Sequence, residues 1–286
     1  MFAIIGIVTT IACVIGGYAA SGGHLGVLFQ PFEFLIILGA AFGSLFLGNP
    51  KGIIIGIAKN FGVIFKGPHH KKESYVELLS MLYAVFKLAK TKGDLALESH
   101  VEKPDESPLF AKFPNFNADH HPRTFLCDYL RLLTLGTSNA HELESIIDGE
   151  LEAHHKNYHE MSHAVNLMAD AMPALGIVAA VLGVIHTMGS ITEPPEVLGH
   201  LIGAALVGTF TGVLVSYAFF APFARNMQLV FDSDHYYFLA MKAGLLAHMQ
   251  GYAPQVSIEF ARKILPDDLR PTFQELEETV TNLPPD

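Results

Sequence analysis

Residues 171–189, AMPALGIVAAVLGVIHTMG, and residues 198–224, LGHLIGAALVGTFTGVLVSYAFFAPFA, contain no Lys, Arg, Asp or Glu. A bilayer core of about 30 Å takes roughly 20 predominantly apolar residues to cross as a helix, and both stretches are long enough. Two further candidates lie upstream. Residues 2–20 are uncharged, and residues 32–48 carry one charge, Glu33, at their outer edge. Four transmembrane helices are therefore expected. Pro31 and Asn49–Pro50 bracket the second one tightly. The first span is not read as a cleaved leader, because Met1–Phe2–Ala3–Ile4 lacks the basic n-region such a segment needs.

The cations give the expected orientation. All 18 Lys and Arg fall in two blocks, Lys51 to Lys156 and Arg225 to Arg270, and residues 1–50 and 166–224 have none. Cytoplasmic loops collect Lys and Arg while short translocated loops avoid them. Residues 51–165 and the tail after Arg225 are thus expected in the cytoplasm, with the links at 21–30 and 190–197 outside and both termini inside. The organisation expected is two outer, lipid-facing spans (1–50), a cytoplasmic helical domain (51–165), two inner, channel-lining spans (166–225) and C-terminal cytoplasmic helices (226–286).

Composition removes several function classes. Only 16% of residues are charged, against about 25% in a soluble domain. A net charge of −10 opposes binding to a nucleic acid polyanion. Two distant cysteines, Cys13 and Cys127, support neither a disulfide framework nor a thiolate metal site. No phosphate-binding loop, HExxH or GxSxG motif is present, so no enzyme activity is expected. The histidine pairs 69–70, 120–121 and 154–155 are read as solvated. Neighbouring residues on a helix point to different faces, so no metal cluster is expected of them.

The cytoplasmic mass reads as helical. Ser74–Thr91 has a narrow polar stripe of Glu77, Ser80, Lys87 and Thr91. Pro104, Pro108, Pro114 and Pro122 break the next stretch into short pieces. Residues 125–135 and 139–162 are again helical, the second opening at cap candidates Ser138 and Asn139. Span four grades into 227–249 without a stop, and Thr272-Phe-Gln-Glu275 fits a capping box. No alternating pattern of useful length occurs, so the fold class is all-α.

Within the membrane, spans three and four carry small-residue faces: Gly176, Ala179, Ala180, Gly183 and Thr187 on one, and Ala204, Gly208, Gly212 and Ser216 on the other. Such faces allow close helix approach in lipid. They either pack the chain's own bundle or drive self-association around a central element, and the contrast with the Ile-, Leu- and Phe-rich first two spans favours the second. The polar groups at depth are Asp170, His186, Thr187, His200, Thr209, Thr211, Ser216 and Tyr217, with no carboxylate mid-span. An ion path through this chain would need a partner's acid. Pro173 and Pro222 stand at the cytoplasmic ends of spans three and four. Pro173 also suits simple helix initiation, whereas the helical pattern continues past Pro222.

Pro173-Ala-Leu-Gly-Ile-Val-Ala-Ala180, Gly208-Thr-Phe-Thr-Gly212 and Pro222 resemble the MotA family of flagellar stator subunits. So do Gly16-Gly-Tyr18, Gln30-Pro-Phe-Glu33, Asp128-Tyr-Leu-Arg131, Gly251-Tyr-Ala-Pro254 and Arg270-Pro-Thr-Phe273, so that the likeness runs along essentially the whole chain. The resemblance implies a homopentamer around a MotB dimer whose aspartate binds the proton, with torque delivered to the rotor protein FliG. It places Lys90, Glu98 and Glu150 at the rotor and Pro173 and Pro222 in coupling. Ala180 and Thr209 fall beside the ion path, Ala180 in the proton-type pattern. Lys90 departs from the commoner arginine and loses bidentate pairing. No cofactor is implied beyond the translocated proton. The alternatives are an energiser of the ExbB/TolQ type, which has three spans, a sodium-driven stator subunit, and a scaffold without an ion path.

Overall fold

The computed structural model describes residues 2–136 and 139–283. No strand occurs among the described residues, and helices α1 (Phe2–Ala20), α2 (Pro31–Gly48), α3 (Lys51–Asn60) and α4 (Lys72–Lys92) open the chain. After several single turns come α5 (His120–Thr134) and α6 (Ala140–Met188). Helix α7 (Pro195–Val215) passes through a π turn (Ser216–Phe220) into α8 (Ala221–Met249), and α9 (Pro254–Ile264) and α10 (Phe273–Thr281) close the fold. Four helical stretches are long and apolar enough to cross a membrane: Phe2–Ala20, Leu25–Gly48, Ala140–Met188 and Pro195–Met249.

Span three departs from expectation. Residues 139–162 and 171–189 read as separate helices, yet α6 is continuous over 49 residues. The polar cytoplasmic sequence and the apolar span share one backbone, and Pro173 lies well inside it rather than in a first turn. Of the two cap candidates, Ser138 lies outside the described residues, and Asn139 Oδ1 accepts from the His141 N–H at 3.1 Å.

The chain forms two compact units, Met1–Gly67 with Lys156–Val230, and Pro68–His155 with Phe231–Asp286. In the first, no residue of α1 is buried. Helix α2 buries Ile37, Ala41 and Leu45, and α3 buries Ile53 and Ile57 with Gly56 against the Met161 side chain. Together α2 and α3 sit on opposite sides of the Asn49–Pro50 break, where proline cannot continue the helix.

The second unit has a conventional hydrophobic core. Helix α4 buries Tyr75, Leu78, Leu82, Val85 and Phe86, packed with Leu126 and Leu130 of α5, Leu245 of α8 and Ile258 of α9. A Cβ on Gly244 would lie 3.3 Å from both Leu82 and Phe86, so α4 and α8 approach closely. Two members of the expected polar stripe have structural work instead. Ser80 is buried and donates to the Val76 carbonyl at 2.7 Å. Glu77 accepts from the Asn115 and Phe116 N–H groups at 2.8 and 3.0 Å, supplying the acceptor that the short Pro114–Ala118 helix lacks at its N-terminus. The Thr272–Glu275 capping box forms with both reciprocal bonds, at 3.1 and 2.7 Å.

Of the paired histidines, His69, His120 and His121 are exposed as expected, whereas His70 is buried and His154 and His155 are half-buried. His121 and His154 meet with their rings tilted, 4.8 Å between centroids, both against Phe238, and His155 meets His235 at 4.8 Å. Burial, reinforced by His121, His235 and His155, pushes His154 down to about 4. His248 stacks on Phe86 and is likewise lowered by burial. Adjacent residues on one helix do diverge, as expected, but His121, His154 and His155 each meet a ring on another helix, which sequence spacing does not reveal.

Candidate functional site

The small residues of spans three and four meet each other. A Cβ added to Gly176 would lie 2.9 Å from the Gly208 carbonyl oxygen and 3.1 Å from Gly212 Cα. One on Gly212 would lie 2.6 Å from the Met172 carbonyl oxygen, and one on Gly183 would lie 2.6 Å from Ala205 Cβ. Helices α6 and α7 therefore touch backbone to backbone along a seam that only hydrogen side chains permit. This corrects the self-association reading of these faces, since the chain's own helix pair consumes them. The exposed residues of the pair include the bulky apolar Ile177, Val181 and Ile185 on α6 and Ile202, Leu206 and Phe210 on α7, with the exposed His186 and His200 toward their outer ends.

Ala180 and Thr209 sit at this seam. The Ala180 nitrogen would lie 3.2 Å from a Cβ on Gly208, and Thr209 Cα 3.3 Å from one on Gly176. Both residues are half-buried. Thr187 is buried and donates to the Gly183 carbonyl at 2.9 Å, the self-satisfying bond open to a hydroxyl within a helix. Tyr217 lies apart in the π turn, 62% exposed. Asp170 is exposed one turn before Pro173 and accepts from Asn166 Nδ2 at 3.0 Å.

The residue that sequence reasoning underrated is Glu33. Its position in the first turn of α2 marks it as the edge of a span, but its side chain reaches into the seam. Glu33 Oε2 lies 2.9 Å from where a Gly208 Cβ would be, and Oε1 lies 3.6 Å from that of Gly183. Oε2 is buried without a hydrogen-bond partner among the described residues. Gly208 follows Pro195 by thirteen residues, roughly 20 Å along the helix. The chain thus places a carboxylate in the seam between two apolar helices, beside Gly208 well inside span four, rather than free at the edge of span two. Its sequence signal is an acid two residues after Pro31, in the Gln30-Pro-Phe-Glu33 stretch of an otherwise uncharged span. What is invisible there is that two glycines on other helices make room for it.

The two prolines differ. Pro173 lies within the continuous α6 beside Met172, whose carbonyl oxygen is the atom nearest to a Cβ placed on Gly212. Its ring denies a hydrogen bond to the Ala169 carbonyl. Pro222 denies one to Ala218, and here the backbone answers with the π turn Ser216–Phe220 immediately upstream. The Ser216 hydroxyl in that turn is buried and has no partner among the described residues. Next to the turn lies an apolar cavity of about 540 Å³, lined by Phe219, Phe220, Pro222 and Phe223 and by Phe2 and Ile7 of α1. The wide helical turn, the unpaired hydroxyl and the adjoining cavity thus coincide at one point of span four.

The three charged residues assigned to the rotor stand in separate settings. Lys90, in the last turn of α4, is exposed and donates to the Gly251 carbonyl at 3.2 Å. Glu98 is exposed at the start of the short Glu98–Glu102 helix, beyond a turn at Gly93 with φ 86°. Glu150 on α6 accepts from the Tyr129 hydroxyl at 2.5 Å, which with burial raises the Tyr129 pKa. Arg131 of α5, between these elements, binds Glu102 and Asp128, both at 2.7 Å.

Residues 4–93 match the family described as motility protein A N-terminal, and residues 117–235 the MotA/TolQ/ExbB proton channel family. Motility protein A of Salmonella typhimurium is 39% identical over 280 residues, covering 98% of this chain and 95% of that protein. The flagellar MotAB stator complex from Bacillus subtilis matches with a TM-score of 0.69 at 26% identity, over 90% of this chain and 92% of that one. The fold is also that of Campylobacter jejuni MotAB, with a TM-score of 0.78 at 22% identity, over 95% of this chain and 98% of that one.

Proposed function

The chain belongs to the motility protein A family, and from that membership we propose that it is the stator subunit of a flagellar motor that forms a proton channel with MotB. It is a multi-pass protein of the inner membrane. The observation that carries this reading is the likeness to motility protein A along 98% of the chain, which includes both the spans and the cytoplasmic helices.

In the mechanism we infer, five copies surround two MotB chains, whose aspartate carries the proton past spans three and four. Ala180 and Thr209 lie beside the path and leave it short of the oxygen ligands that Na⁺ requires. Each proton falling through 100 mV releases about 2.3 kcal/mol, enough to shift a two-state helix arrangement some tens-fold. Pro173 and Pro222 convert that shift into movement of the helices bearing Lys90, Glu98 and Glu150, which push on FliG. Both termini face the cytoplasm. The four spans favour this over the three-span ExbB/TolQ energisers.

A deletion strain tests the reading. It is expected to lose swimming, to regain it with this gene, and to swim equally well with and without sodium. Retained swimming with impaired uptake across the outer membrane would move the protein to the energiser class, and collapse on sodium removal would overturn the coupling ion.

Glu33 adds a group of this chain's own to the path. A lone carboxylate in the seam gives an entering proton a stopping place, because an unpaired anion there is costly to leave uncompensated. Glu33→Gln preserves shape and is expected to leave membrane levels unchanged while slowing rotation several-fold in tethered cells. Unaltered rotation would reduce Glu33 to a packing role.

A further inference from the structure

We propose that His69, His70 and Asp119 form a binding site for a zinc-class divalent metal ion. His69 Nδ1, His70 Nε2 and an Asp119 oxygen all lie within 4.8 Å of one another. Asp119 Oδ2 is 3.1 Å from His69 Nδ1 and 3.8 Å from His70 Nε2. A tetrahedral ion with bonds of about 2.0–2.1 Å sets its ligand atoms about 3.3 Å apart. The two separations from Asp119 bracket that spacing, and the two imidazoles, up to 4.8 Å apart, close to it by a small rotation of the exposed His69 ring.

Consecutive residues seldom direct their side chains to one point, and this pair does so for an identifiable reason. Residues 67–71 are not helical. The main-chain N–H groups of both His69 and His70 donate to one oxygen, Asp234 Oδ1, at 2.9 and 3.1 Å. That shared acceptor curls the backbone and brings both rings to the same side. His70 is then fixed flat against Tyr237, at 3.7 Å between centroids and 8° between planes, and is 7% exposed. An outer carboxylate holding the ligand-bearing backbone is the kind of support metal sites use.

The donor set selects the ion. Two imidazole nitrogens and one carboxylate suit Zn²⁺, whereas Ca²⁺ and Mg²⁺ prefer oxygen shells. Room for a fourth ligand is present in the adjoining cavity of about 400 Å³, lined by Ser74, Asn115 and Tyr237 as well as the three ligands. Within this unit the ion would tie the link before α4 to the residue preceding α5, beside α8.

The test uses the full-length chain co-purified with its partner in detergent, without a polyhistidine tag and stripped with chelator. Titration with Co²⁺ is expected to produce the visible band of a tetrahedral ion at one equivalent per chain. Zn²⁺ should displace it and Mg²⁺ should not. His69→Ala, at an exposed position, and Asp119→Asn are each expected to abolish the band and weaken Zn²⁺ binding by at least about tenfold, and Asp234→Ala to weaken it by about tenfold. His154→Ala should leave it intact. Absence of the band in the unmodified chain would overturn the site and leave a plain His69–Asp119 hydrogen bond. So would a band indifferent to both His69→Ala and Asp119→Asn.

Discussion

Pro222→Ala is expected to abolish swimming while the protein still inserts, assembles and recruits its partner. The reason lies in the turn before it. Proline at 222 prevents the backbone bond to Ala218, and the chain accommodates it with five residues of π geometry, Ser216–Phe220. Restoring the N–H lets the segment close into regular α-helix. Proline inside a helix costs about 3 kcal/mol, so its removal biases a two-state bend by roughly a hundredfold. That exceeds the energy one proton supplies, and the segment should stay in one arrangement. Swarm diameter and tethered-cell rotation measure the loss, with membrane immunoblots and partner pull-down as controls for assembly. Normal rotation of the variant would remove Pro222 from the coupling mechanism. A loss of membrane-inserted protein would instead make it a folding residue.

Gly212→Leu should prevent a stable α6–α7 pair. A Cβ at this position would sit 2.6 Å from the Met172 carbonyl oxygen and 2.9 Å from Gly176 Cα. Both are backbone atoms that cannot rotate aside, so the helices must separate along the seam. Overpacking costs typically 1–3 kcal/mol when side chains can adjust, and about 3 kcal/mol or more is expected where they cannot. Membrane levels should fall several-fold and thermal unfolding in detergent should shift downward. Gly199→Leu in the same helix supplies the contrast, because nothing lies within 4 Å of a Cβ there, and it should be tolerated. Equal stability of the two variants would show that the seam is not close-packed in the assembled protein.

Much of the fold is legible in the sequence because its strongest signals are local. Uninterrupted apolar length identifies the spans, and Thr272 and Glu275 announce a helix start through groups three residues apart. The failures share a cause. Continuity of α6 through residues 162–171 is hidden in the sequence because composition changes there while backbone geometry does not. At Glu33, position along α2 suggested a water-facing edge, whereas the carboxylate's depth depends on glycines 150 and 175 residues away. The His69–His70 pair was judged by helical geometry, and a distant carboxylate, Asp234, sets its actual backbone path.

By itself, then, the sequence determined the membrane class, the helical content, the family, and the two prolines where a helix must yield. Those are consequences of solvent partition and of backbone chemistry within a few residues. Packing between distant segments sets which surfaces the small residues meet, how far Glu33 reaches into the seam, and which histidines converge on Asp119. Periodicity along a helix reports that a face must be covered, but the partner that covers it is chosen by packing among segments far apart in the chain.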